Sequence, residues 1–101
     1  MLHCGTVLEE LRRAAREAKQ RHPEIASVYL FGPLTTGGDG DADFLVVVRR
    51  EFTGLFERCP YHLHTPTLPA DTLVYSESEF ARMAADPTSF LAGVLRAAVE
   101  L

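Results

Sequence analysis

Asp41 and Asp43 stand two positions apart at the entrance to Ala42–Val48, a run that is apolar apart from Asp43. On a strand, side chains two apart share a face. Their Cα atoms would lie roughly 7 Å apart, two steps of about 3.3 Å. Two ionised carboxylates that close repel each other, and beside a buried strand an unpaired charge is expensive. Mg²⁺ resolves the conflict, because it takes oxygen ligands and keeps positions for phosphate oxygens. Directly upstream, Gly32, Gly37, Gly38 and Gly40 place four of the chain's seven glycines in one short stretch. Backbone N–H groups there can approach a phosphate with no Cβ in the way. The implied chemistry is an in-line displacement at the α-phosphate of a metal-held nucleoside triphosphate. Taken singly, an Asp-x-Asp is ordinarily a solvated loop, and a glycine cluster is ordinarily a turn. Their sequence is less common: a strand, a glycine loop, Asp-x-Asp entering a buried strand, then Asp71 opening a third.

The elements that must position these residues follow from periodicity. Thr6 and Glu9 have capping-box spacing. Val7, Leu8, Leu11, Ala14, Ala15 and Ala18 then repeat with a helical period, and Pro23 stops the helix near His22. Ile25–Phe31 is short, β-branched and aromatic, so a strand is predicted. Residues 32–40 form a loop, and Ala42–Val48 reads as a central strand covered on both faces. Glu51–Arg58 suits a short helical turn, and Pro60, Pro66 and Pro69 mark an irregular connection. Asp71–Tyr75 is the third predicted strand. Ser76 and Glu79 form a capping box for a second helix, with Tyr75 placed to staple against Phe80. A last helix is predicted to open with Asp86 as cap and Pro87 in its first turn, carrying a stripe from Phe90 through Val99. The expected order is α–β–loop–β–β–α–α, an α/β (α+β) two-layer unit with three or more strands flanked by helices. Strand order is not readable from these patterns.

A chain of 101 residues is one domain, residues 1–101, with enough apolar content for a modest core. No apolar run is long enough to span a membrane. Met1–Gly5 lacks a charged region followed by an apolar stretch, and Cys4 and Cys59 belong to no Cys-x-x-Cys pair. Reduced thiols in a cytoplasmic protein are therefore expected. A net charge of −4 argues against non-specific nucleic-acid binding, which needs a basic surface. Arg12, Arg13, Arg16, Lys19 and Arg21 do crowd the first helix, where Glu9, Glu10 and Glu17 can pair with them; a solvated face is the default. His62 and His64 alternate, but no third partner has zinc-ligand spacing.

Phe31-Gly32-Pro33-Leu34-Thr35-Thr36-Gly37, followed by Gly40-Asp41-Ala42-Asp43-Phe44-Leu45-Val46-Val47-Val48, resembles the minimal nucleotidyltransferases of the DNA polymerase β superfamily. Their signature is Gly-Ser, a loop, and an Asp-x-Asp strand, with a third carboxylate on a later strand. Asp71 in Ala70-Asp71-Thr72-Leu73-Val74-Tyr75 takes that third place. Residues 75–80 and Ser89-Phe90-Leu91 also look like the C-terminal helices of small members, so the resemblance spans about residues 25–101. It implies that Asp41 and Asp43 hold one or two Mg²⁺ ions. It also implies that Asp71 is a third ligand or the base for the attacking hydroxyl. Gly32 would give the close approach to the β- and γ-phosphates. Pro33, Thr35, Thr36, Gly37 and Gly38 would complete the nucleotide site. Two features depart from the pattern: Pro33 replaces the family serine, removing a hydroxyl and an N–H, and the loop before Asp41 is shorter than usual.

Three functions compete. The first is a transferase moving AMP from ATP to a hydroxyl of a macromolecule. Small family members often pair with a separately encoded helical HEPN-type protein as antitoxins. The resemblance implies such a partner, or an oligomer, to supply acceptor recognition. The second is a catalytically degenerate module that only docks that partner. The third is RNA binding through Arg12, Arg13 and Arg16.

Overall fold

In the computed structural model, residues 4–36 and 41–101 are described, the side chains of residues 4–6, 33 and 36 excepted. The element order is α1 (Cys4–Arg21), β1 (Ile25–Phe31), a 3-10 turn (Pro33–Thr36), β2 (Ala42–Val48), a 3-10 segment (Leu55–Tyr61), β3 (Ala70–Ser76), α2 (Glu77–Ala85), α3 (Phe90–Leu95) and β4 (Val99–Glu100). The four strands form one mixed sheet in the order β3-β2-β1-β4. β1 is antiparallel to both β2 and β4, and β3 runs parallel to β2.

β2 is central, which explains its sequence. Ala42, Phe44, Val46 and Val48 join Leu11, Ala14, Ala15 and Ala18 of α1 in one buried cluster. Leu45 and Val47 point to the opposite face and are as deeply buried. On that side Phe80 of α2 stacks on Tyr29 of β1, ring centroids 5.9 Å apart. Helices therefore cover both faces, and a strand between them must be apolar at consecutive positions.

The parallel step from β2 to β3 needs a crossover, and residues 49–69 supply it. Tyr61 and Leu63 are buried against the α1-side cluster. The Tyr61 hydroxyl donates to Glu24 over 2.6 Å, and the Leu63 N–H donates to the Thr72 hydroxyl over 3.1 Å. Glu10 accepts from the Thr67 N–H at 3.1 Å and its hydroxyl at 2.6 Å, tying the connection to α1. Arg58 reaches over the edge strand: it donates to the Val74 carbonyl at 2.6 Å and to both carboxylate oxygens of Glu79 at 2.9 Å. Glu79 also accepts from the Ser76 N–H, while the buried Ser76 hydroxyl accepts from the Glu79 N–H, so the predicted capping box is present.

Three expectations change. Thr6 lies inside α1, which is already helical at Cys4, so it does not cap the helix. The turn predicted at residues 51–58 forms later, at Leu55–Tyr61. The last helix opens at Ser89, whose hydroxyl accepts from the Ala92 N–H, and ends at Leu95. Val99, predicted to extend that helix, instead pairs with Leu30, and the Leu101 N–H donates to the Val28 carbonyl at 2.8 Å. Pairing with an open strand edge outweighs a helical period that only six residues sustain.

Candidate active site

The N-terminal ends of β2 and β3 and the C-terminal end of β1 meet at one margin of the sheet. Phe31 is the Cα partner of Asp43 across the antiparallel pair, and Asp71 is the partner of Asp43 across the parallel pair. Paired residues on neighbouring strands point to the same face, so Asp43 and Asp71 stand side by side. Asp41, one residue before β2, falls two positions from Asp43, and its charge reaches the Asp43 carboxyl. The sequence could place Asp41 beside Asp43 by alternation. Bringing Asp71 to them required the parallel register.

The three carboxylates differ in setting. Asp41 and Asp71 are exposed, while Asp43 is half-buried. Burial raises the Asp43 carboxyl above the ordinary aspartate range, and the negative charges of Asp71 and then Asp41 push it further. Among the described residues no three His, Cys, Asp or Glu side chains are already gathered closely enough to hold a metal ion. The acids are thus neighbours that repel, rather than a closed ligand cage. Carboxylate oxygens are the donors that Mg²⁺ takes, and a cation is the partner that relieves this repulsion. The donor set fits the ion on that ground.

Gly32 closes the other side. Its φ is +82°, a conformation that glycine adopts without steric cost. A Cβ at this position would lie 2.3 Å from Oδ2 of Asp43. The missing side chain is therefore the space that the Asp43 carboxylate occupies. The Gly32 carbonyl accepts from the Thr35 N–H at 3.1 Å and the Thr35 hydroxyl at 2.7 Å, which locks the turn. Pro33 takes the position after the accepting residue, where a fixed φ near −65° favours such a turn. The sequence showed what Pro33 removes, a hydroxyl and an N–H. A proline at that position restricts the backbone of the turn. The Thr35 hydroxyl proton is directed into the turn and not outward to a ligand. Gly37 and Gly38 lie outside the described residues, as does the side chain of Thr36.

Beside the turn runs a groove of about 520 Å³ whose walls include Phe31, Gly32, Thr35, Phe90, Gly93 and Val94. Sequence reasoning assigned Phe90 to an apolar stripe, yet its surface is 61% exposed while the adjacent Leu91 is fully buried. Once Ser89 is seen as the cap, Phe90 becomes the first helical residue. No spacing pattern reveals that it stands open. His62 and His64 are exposed, as are Arg12, Arg13 and Arg16, in keeping with their solvated defaults.

No protein-family model and no curated protein matches the sequence. Among solved structures, the chain is similar to a "putative nucleotidyltransferase" from Sulfolobus solfataricus. The TM-score is 0.58 at 23% identity, covering 74% of this chain and 71% of that one. At that identity the likeness is one of fold: a small mixed sheet flanked by helices, of the nucleotidyltransferase type.

Proposed function

We propose that the protein is a Mg²⁺-dependent nucleotidyltransferase that moves AMP from ATP to a hydroxyl of a partner protein. The observation that carries this reading is the join of Asp43 with Asp71 in register and with Gly32 in contact space. A charged pair at the mouth of a buried sheet, with a glycine cut away to admit one of them, is costly for a fold that makes no use of it. The fold shared with the Sulfolobus protein supports the same class.

In this reading Asp41, Asp43 and Asp71 would hold Mg²⁺. When bound, the ion would supply charge stabilisation to the phosphoryl oxygens during displacement. Asp43, rigid in β2 and backed by Gly32, fixes the position of the reaction. Asp71, exposed on the edge strand, would serve as the third ligand or take the proton of the incoming hydroxyl on its carboxylate. The acceptor oxygen bonds to the α-phosphorus as the bond to the bridging α–β oxygen breaks, and pyrophosphate leaves. The Gly32 turn brings backbone close to the β- and γ-phosphates. A HEPN-type helical protein or a second copy would complete acceptor recognition. Such a reaction belongs in the cytoplasm, where ATP and Mg²⁺ are present. Among the described residues no helix is long and apolar enough to cross a membrane.

A second reading has one observation in its favour. Pro33 lacks the N–H and hydroxyl of the family serine, and the Thr35 hydroxyl is engaged by Gly32. A site with so few phosphate donors suits a degenerate module that docks its partner without turnover. Incubating the protein and a co-purified partner with ATP labelled at the α- or the γ-phosphate separates the two. Transfer of the α-label, lost in Asp43→Asn, is expected. Absence of α-label on any protein, with both chains folded, would leave the docking module standing.

A further inference from the structure

We propose that the groove between the Gly32 turn and α3 receives the purine base of the nucleotide, with the ring of Phe90 as its stacking face. This assignment rests on the nucleotidyl-transfer reading above. Gly32 belongs to both places: it backs the Asp43 carboxylate and it lines the groove. A nucleotide whose phosphates lie at that glycine has the groove as its adjoining space. The volume, about 520 Å³, falls within the usual span of small-ligand sites.

The chemistry of the walls points to a flat aromatic ligand part. Phe90 presents 61% of its surface, and Val94 and Ala97 continue an apolar wall. At Gly93 a Cβ would meet nothing within 4 Å, so the α3 side of the groove is open space rather than packed core. The hydroxyl protons along it are already committed: Thr35 donates to the Gly32 carbonyl, Thr88 to Asp86 and Ser89 to the Met83 carbonyl. Stacking and burial are then the means of recognition, and stacking is tolerant of base identity because every base has a π-face. The larger purine face gains more from it than a pyrimidine does.

Calorimetric titration with Mg²⁺ present, of ATP and separately of inorganic tripolyphosphate, tests the assignment on the wild type, Phe90→Ala and Gly93→Leu. Phe90 is exposed and Gly93 faces empty space, so both variants should fold, which circular dichroism checks. The wild type is expected to bind ATP more tightly than tripolyphosphate. Both variants should lose about tenfold in ATP affinity, the scale of one aromatic–base stack, while binding tripolyphosphate as before. Phe90→Trp should keep or improve ATP binding. ATP affinity unchanged in both variants, or no tighter than tripolyphosphate in the wild type, would overturn the groove while leaving the phosphate site intact. Failure of the wild type to bind either compound would remove the phosphate site, and the base groove with it.

Discussion

At the residue scale, Gly32 and Asp43 depend on each other. The carboxylate occupies the volume that any side chain at position 32 would need, and the +82° backbone there adds its own penalty for an L-residue. Gly32→Ala is therefore expected to cost about 1–3 kcal/mol, combining left-handed strain with displacement of a half-buried acid. Thermal unfolding measures the loss, and nucleotide binding should fall with it because Asp43 must move. Asp43→Asn should act in the opposite direction on stability. Burial and two negative neighbours disfavour the charged Asp43, and the amide removes that repulsion. In metal-free buffer at neutral pH the variant should melt higher than the wild type, by about 1 kcal/mol or some 4–8 °C in a domain of this size. Added Mg²⁺ should raise the wild-type melting temperature and leave the variant unmoved. A variant that melts lower without metal would mean that the acids are not in conflict.

At the element scale, the Arg58–Glu79 pair holds the crossover, the edge of β3 and the start of α2 together. Two parallel hydrogen bonds from Arg58, and the capping bond from the Ser76 N–H, hold the Glu79 carboxyl down at about 2. In the unfolded chain the same group titrates near 4.3. The stabilisation is therefore complete above about pH 5 and is lost as pH falls from about 4.5 toward 2. Glu79→Gln should cost about 1–3 kcal/mol at neutral pH, toward the lower end because the pair stays partly open to water. It should also flatten the acid limb of a plot of melting temperature against pH. This element was legible in advance: Ser76 and Glu79 have a spacing that acts locally, so the capping box could be read directly. The β4 pairing could not, because Val99 and Glu100 become a strand only by meeting the free edge of β1, about seventy positions earlier in the chain. The start of α1 and the place of the 3-10 segment differ from the sequence expectation for a related reason. Local spacing ranks the candidates for such boundaries, but packing selects among them.

At the scale of the whole molecule, the sheet brings the distant Asp71, and Gly32 from the preceding strand's end, beside Asp43. Asp41 and Asp43 could be paired from alternation alone, and Asp71 could be noted as an acid opening a third strand, with its role as a third ligand or base implied only by the family resemblance. Its place beside Asp43 depends on a parallel crossover that no local pattern encodes. The same holds for Gly32. Its composition suggested a turn, but the contact with the Asp43 carboxylate appears only when β1 and β2 are paired in register. Phe90 was not legible at all, since its exposure is a property of the packed α3 and not of its spacing. What unites these features is one margin of the sheet where charge, a bare backbone and an open groove coincide.

Calorimetric titration of ATP, with and without Mg²⁺, into the wild type and an Asp41→Asn/Asp43→Asn double variant tests whether these carboxylates build a nucleotide site. Binding should require Mg²⁺ and disappear in the double variant, with both proteins folded by circular dichroism. Equal binding by both proteins, or none by a folded wild type, would contradict a nucleotide site built on these carboxylates.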